Sequence, residues 1–239
     1  MNTQTNLYLN NHKLWVIIPA AGSGRRFSKT ALKQYQMIQN QTVLEHTVNR
    51  LNDLPLAGYV LALGEQDTFA QTLNLKNKEK AHFCLGGKER VDSVLNGLKY
   101  LSEIVDPNDW VLVHDAARPC VTSSCLNDLV ATAIQDSVSA ILAIQVRDTL
   151  KCVESHDMID RTVNRDKLWQ AQTPQISTIF KLKSAIEKAL KDNVVITDEA
   201  SALEYSGEIV KVVQGRSDNI KITYSDDLEL ARLILASQR

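Results

Sequence analysis

From Pro19 to Gln36 the chain reads PAAGSGRRFSKTALKQYQ, which sets small Ala20, Ala21 and Ser23 around Gly22 and Gly24 and follows them with Arg25, Arg26 and Lys33. Glycine lets a backbone turn and come close to a ligand, and small neighbours leave successive N–H groups open to oxyanions. Three cations beside those dipoles suit a group of high negative charge. Two familiar phosphate loops do not fit. A dinucleotide fingerprint needs a third glycine where Phe27 stands, and a G-x-x-x-x-G-K-[ST] loop is absent because Gly87-Lys88 runs into Glu89. Hydride transfer and P-loop chemistry lose ground on those residues. A plain strand-to-helix turn with solvated arginines is the bland alternative, and the density of charge speaks against it.

Such a loop has to be delivered to the edge of a sheet. Short apolar runs at Leu14 to Pro19, Tyr59 to Leu63, His82 to Leu85, Trp110 to His114 and Ala140 to Ile144 read as strands covered on both faces. Helical stripes lie between them over Thr42 to Leu54 and Glu89 to Leu101. This alternation predicts a parallel α/β sheet with helices on both sides, in which ligands bind beyond the carboxyl ends of the strands. From Gln145 to Trp169 the pattern turns polar and β-branched without a helical stripe, as in an extended arm. Helices over Thr178 to Leu190 and Asp198 to Ser206 follow, then strands over Ile209 to Gln214 and Ile220 to Thr223, and a last helix from Asp226 with Ser225 as its N-cap.

Composition narrows the setting. The 239 residues are 44% hydrophobic and 23% charged, with a net charge of -1, enough apolar material for one large domain and no general nucleic-acid binder. Residues 1–13 are polar and read as a flexible tail, with neither a secretion signal nor a membrane span; residues 14–239 read as one domain. Cys84, Cys120, Cys125 and Cys152 have no C-x-x-C spacing and read as reduced thiols of a cytoplasmic protein. His12, His46, His82, His114 and His156 are scattered without metal-ligand spacing, and Trp15, Trp110 and Trp169 sit where packing explains them.

The opening loop resembles that of the sugar-phosphate nucleotidyltransferases. Six further strings occur in order: GGKERVDSV (Gly86 to Val94), VHDAARP (Val113 to Pro119), RDTLK (Arg147 to Lys151), QTPQ (Gln172 to Gln175), TDEASALEYSG (Thr197 to Gly207) and GRSDNIKIT (Gly215 to Thr223). Together they resemble the 2-C-methyl-D-erythritol 4-phosphate cytidylyltransferase family from about Leu14 to the C-terminus. The resemblance implies a Rossmann-like, mostly parallel sheet with a protruding β-arm, at about 145–165, used for dimerisation. It implies transfer of a cytidylyl group from CTP to a polyol phosphate, releasing pyrophosphate, on the non-mevalonate route to isoprenoid precursors.

Residue by residue, the resemblance makes Arg26, Lys33 and Lys221 catalytic. Ala20, Ala21, Gly22, Gly24, Gly87, Ser93 and Ala116 would hold the nucleotide. Asp115, Thr149, Arg165, Thr173 and Thr197 would meet the second substrate, some of them across a homodimer interface. Mg²⁺ is expected on the triphosphate, supported by Asp115 or Asp218; a loop carboxylate that caps backbone N–H groups is the plainer reading of either. Lys88 stands where an acidic or small residue is expected, which leaves base selectivity open. This chemistry suits the cations: a phosphomonoester dianion is already a nucleophile, so the protein must position it and offset charge rather than supply a base. A ribitol 5-phosphate or other polyol-phosphate cytidylyltransferase is the alternative within enzymes. A silent nucleotide-sugar binder is the alternative outside them, and it would not need Arg26, Lys33, Asp115 and Lys221 together.

Overall fold

A computed structural model describes residues 12–22, 24, 27, 32–154 and 157–238. Arg26, with Ser23 and Arg25 of the opening loop, lies outside the described residues, as do residues 1–11. In chain order the elements are β1 (Leu14–Pro19), β2 (Met37–Ile38), β3 (Gln41–Thr42), α1 (Val43–Leu51), β4 (Gly58–Leu63), β5 (Ala81–Leu85), α2 (Arg90–Ser102), β6 (Trp110–Val113), α3 (Ser123–Asp136), β7 (Ser139–Gln145), β8 (Leu150–Val153), β9 (Ile159–Val163), β10 (Trp169–Thr178), α4 (Ile179–Lys191), α5 (Glu199–Tyr205), β11 (Val210–Gln214) and α6 (Asp226–Ser237).

β1 shows why the sheet is buried on both sides. Its residues Leu14, Val16 and Ile18 enter one apolar cluster, while Trp15 and Ile17 enter another. Successive side chains alternate between faces, so a strand that is apolar throughout must be covered twice. Leu44 and Val48 of α1 and Leu126 and Leu129 of α3 cover the first face. Leu98 of α2, Ile186 of α4 and Leu203 of α5 cover the second.

Seven strands join in the order β11-β7-β10-β6-β1-β4-β5. β1 pairs in parallel with both β4 and β6. The chain therefore leaves β1 toward one edge and later returns to β1's other side, a topological switch point that opens a crevice beyond the carboxyl end of β1. The sheet is mostly parallel, as expected, and its antiparallel member is β10, which runs against both β6 and β7. It escapes an apolar-pattern reading because Gln172, Thr173, Gln175 and Ser177 are buried along it. These polar groups are paired, with Gln175 Nε2 donating to Asp198 Oδ2 at 2.9 Å and Gln175 Oε1 accepting from Ala200 N at 2.8 Å.

Two expectations are corrected. Ile220 to Thr223 forms no strand; Ile222 is buried in a small cluster with Ile38, Val43 and Ala117, and its N–H donates to Ala117 O at 2.9 Å. Its apolar residues mark a loop pinned to the core. Ser225 makes no side-chain capping bond to α6; Asp227 Oδ2 instead accepts from Thr223 N at 2.7 Å and Tyr224 N at 2.8 Å. The arm leaves β7 and returns into β10 as an antiparallel hairpin, β8 with β9, separate from the main sheet. Before β1, Lys13 is already held, its N–H donating to Asp109 Oδ1 at 2.7 Å.

Candidate active site

A cavity of about 410 Å³ lies beyond the carboxyl end of β1, walled by three separate parts of the chain. That volume falls in the range of small-molecule sites, roughly 300–1,000 Å³. The first wall is the exit of β1 together with a single helical turn, Lys33–Tyr35. Gln34, buried, donates from Nε2 to Ala20 O at 2.9 Å and so ties that turn to Ala20 to Gly22. Gly24 has a φ of +61°, a conformation other residues adopt only with strain, and a Cβ there would stand 3.4 Å from Lys33 Cγ. The Lys33 ammonium donates to Ile222 O at 3.0 Å, beside Lys221.

The second wall is the turn between β5 and α2. A Cβ on Gly86 would lie 2.4 Å from Ala21 Cβ, and one on Gly87 2.1 Å from Asp92 Cβ. Only glycine lets these backbones approach so closely. Ser93 Oγ accepts from Gly87 N at 3.0 Å and donates to Glu89 O at 3.3 Å. Its hydroxyl thus shapes the glycine turn. Main chain dominates this part of the cavity, with Lys88 exposed at its rim.

The third wall is ionic. Asp115, at the end of β6 and buried, receives Arg90 Nε on Oδ1 at 2.8 Å and Lys221 Nζ on Oδ2 at 2.7 Å, with Arg118 Nε 3.8 Å from Oδ2. Burial acts to raise its pKa, but Arg90, Lys221 and Arg118 outweigh burial and hold the carboxyl well below the usual carboxylate range. Burial likewise works against the Arg90 charge, and Glu199 and Asp115 more than offset it. For Arg118 burial prevails and moves its pKa down.

Behind Asp115, His114 is fully buried. Its Nε2 faces Arg118 O at 3.0 Å and must donate, so its Nδ1 accepts from Thr173 Oγ1 at 3.0 Å. Thr173 Oγ1 in turn accepts from Asp115 N at 3.1 Å. The one proton of the Thr173 hydroxyl is therefore committed to His114. Burial pushes the His114 pKa down to about 4, so the ring is neutral near pH 7.

The cavity wall thus gathers Ala20, Ala21, Gly22, Gly24, Lys33, Gly87, Ser93, Asp115, Ala116 and Lys221 of the residues picked from sequence. Thr173 sits one bond behind it. Thr197, exposed, precedes α5 and donates its N–H to Ser201 Oγ at 3.1 Å. Thr149 and Arg165 are exposed on the arm, where Arg165 Nη1 donates to Arg147 O. Asp218 is held through both oxygens by Arg216, at 2.9 and 2.7 Å, and does not line the cavity. Sequence reasoning missed Arg90, Glu199 and Arg118. All three stood inside quoted strings (GGKERVDSV, TDEASALEYSG and VHDAARP), and charged residues that near glycine turns and a candidate aspartate are the signal that could have found them.

The donor set also bears on Mg²⁺. Both oxygens of Asp115 and of Asp218 are committed to cations, and the described residues contain no group of three His, Cys, Asp or Glu side chains able to hold a metal. These residues suit an ion that arrives with its own phosphate and water ligands, the ligands Mg²⁺ prefers.

Comparison with known proteins agrees with this geometry. A family model described as 2-C-methyl-D-erythritol 4-phosphate cytidylyltransferase matches residues 14–237. The protein of that name from Acinetobacter baumannii (strain AYE) is 71% identical over 226 residues, 95% of each chain. A crystal structure of 4-diphosphocytidyl-2C-methyl-D-erythritol synthase superposes with a TM-score of 0.81 at 35% identity, over 94% of this chain and 99% of that one. The Francisella tularensis 2-C-methyl-D-erythritol 4-phosphate cytidylyltransferase gives 0.80 at 38% identity, over 93% and 99%. With its switch-point crevice, glycine turns and clustered cations, the chain belongs to the 2-C-methyl-D-erythritol 4-phosphate cytidylyltransferase family.

Proposed function

We propose that the cavity at the end of β1 binds CTP and 2-C-methyl-D-erythritol 4-phosphate and joins them as 4-diphosphocytidyl-2-C-methyl-D-erythritol. A phosphate oxygen of the polyol phosphate bonds to the α-phosphorus of CTP, the bond from that phosphorus to the bridging oxygen breaks, and pyrophosphate leaves. No base is required, since the attacking phosphate is already ionised. The observation that carries this reading is the convergence of Lys33 and Lys221 on one small cavity that is also lined by the glycine turns after β1 and β5.

Lys33 and Arg26 take the triphosphate charge, and Lys221 acts where the two phosphates meet. A cation already held at the cavity wall, as Lys221 is by Asp115, needs little rearrangement as negative charge grows on the equatorial and leaving oxygens. The backbone of Ala20 to Gly22 and Gly87, with Ser93 bracing the turn, frames a small pyrimidine, and Ala116 lies beside the ribose. Mg²⁺ bound to CTP would offset charge on the triphosphate; of the two acidic candidates, Asp115 is the one in the cavity wall and would stand beside it.

Thr149 and Arg165 stand outside this chain's cavity, which supports their acting in a partner's. The arm exposes Val153, Met158 and Ile159 at 50%, 69% and 61%. Apolar side chains that open to water favour burial against a second copy, so the protein works as a homodimer through its arm. No helix among the described residues is long and apolar enough to cross a membrane; a cytoplasmic location is part of the proposal. A pyrophosphate-release assay with CTP, Mg²⁺ and a panel of polyol phosphates tests the reading. Release with 2-C-methyl-D-erythritol 4-phosphate is expected; release with ribitol 5-phosphate instead, or none, overturns it.

A further inference from the structure

We infer that Arg90 and Glu199 are positioning residues of the transfer reaction, holding Asp115, and through it the Lys221 ammonium, in the geometry that the reaction uses. This rests on the reading of Lys221 given above. The Arg90 guanidinium is split between two carboxylates. Nη1 and Nη2 form a fork on Glu199 Oε1 and Oε2 at 2.6 and 3.1 Å, while Nε donates to Asp115 Oδ1 at 2.8 Å. The fork fixes the guanidinium plane, and that plane directs Nε at a single oxygen of Asp115. The other oxygen, Oδ2, is left to receive Lys221 Nζ at 2.7 Å. Glu199, Arg90, Asp115 and Lys221 thus form a chain of alternating charge.

The members of this chain come from four places: the start of α5, the start of α2, the end of β6 and the loop before α6. The Glu199 side chain is 3% exposed and that of Asp115 8%. The segment bearing Glu199 is itself anchored, since Asp198 accepts from Ser201 N at 3.0 Å and from Gln175 Nε2 at 2.9 Å. Stability alone gives little reason for such an arrangement, because buried ions can often be replaced by apolar groups without loss. A lysine ammonium that must meet a reacting phosphate does give a reason. Lysine could not take the place of Arg90, having no planar fork to serve two carboxylates at once.

The test separates folding from positioning. Arg90→Met leaves Glu199 buried without its partner, so Tm should fall; kcat should fall on the order of 100-fold, the scale of a displaced reacting group. Adding Glu199→Gln removes the stranded charge, and Tm should return most of the way while kcat stays low. Arg90→Lys keeps the charge and the fold, and should lose roughly tenfold in kcat with the KM for CTP within about twofold. Recovery of kcat in step with Tm in the double variant, or wild-type kcat in Arg90→Lys, overturns the inference. Wild-type turnover is measured alongside, and its absence would count against the proposed reaction, not against these two residues.

Discussion

Mild acid should cost this protein stability through one buried ring. His114 is neutral between Arg118 O and the Thr173 hydroxyl, and burial brings its pKa from the ordinary 6.5 down to about 4. Above pH 6.5 neither the folded nor the unfolded chain protonates this ring, and it contributes no pH dependence. As pH falls from 6.5 to about 4, the unfolded chain binds a proton that the native state refuses, so the native state loses ground. At 1.36 kcal/mol per unit, the loss is about 2 kcal/mol by pH 5 and about 3 kcal/mol by pH 4. Asp115 moves in the same direction at lower pH, since a carboxyl held below its ordinary range stabilises the fold above that range and ceases to as pH falls through the folded value. His114→Gln cannot take the proton and supplies the baseline. Urea titrations at pH 7 and pH 5 should show wild type losing about 2 kcal/mol more than the variant. Equal losses would refute the buried neutral ring, and with it the assignment of donors that links Thr173 to Asp115.

Other perturbations address the walls of the cavity in turn. Lys33→Met should lower turnover by roughly 100-fold or more, the cost of losing a preorganised charge, with thermal stability little changed; wild-type turnover would remove Lys33 from the chemistry. Gly86→Ala forces a Cβ to within 2.4 Å of Ala21 Cβ and 3.2 Å of Leu63 O, neither of them a flexible chain end. The β1 exit must shift, raising the KM for CTP by about tenfold and lowering stability by about 1–3 kcal/mol; unchanged kinetics would mean that the close approach of the two backbones is irrelevant to nucleotide binding. Met158→Asp with Ile159→Asp on the arm should convert a dimer into a monomer in sedimentation at micromolar protein and reduce turnover, whereas a wild-type protein already monomeric there would contradict the arm's role.

What could be read from sequence follows from the physics of each part. β1 was legible to its ends because both of its faces are apolar, and Gly24 as a special backbone position because its φ of +61° suits glycine. β10 was hidden: its inward groups are Gln172, Thr173 and Gln175, whose burial depends on partners at Asp198, Ala200 and Asn219 far away in sequence. Ile220 to Thr223 misled for the converse reason, since an apolar alternation records burial and not pairing. Lys33 was found as a cation following the glycine turn and Asp115 and Lys221 through family resemblance, and their placement in one cavity could not be read from spacing. Arg90 and Glu199 were missed because a pairing across 109 positions leaves no local pattern.

Asp115 also answers a difficulty that the cations themselves create. Lys33, Arg90, Arg118 and Lys221 come from different elements and would repel one another around an empty cavity, more strongly where water is excluded. A carboxylate placed among three of them lowers that repulsion and keeps the ligand-free fold intact. Its cost is a weaker positive field for the incoming triphosphate. The arrangement limits that cost by burying Asp115 and sharing it between Arg90 and Lys221, each of which takes one oxygen. Neither oxygen of Asp115 is thus left unpaired to oppose a triphosphate, and the same carboxylate holds the Lys221 ammonium at the cavity wall.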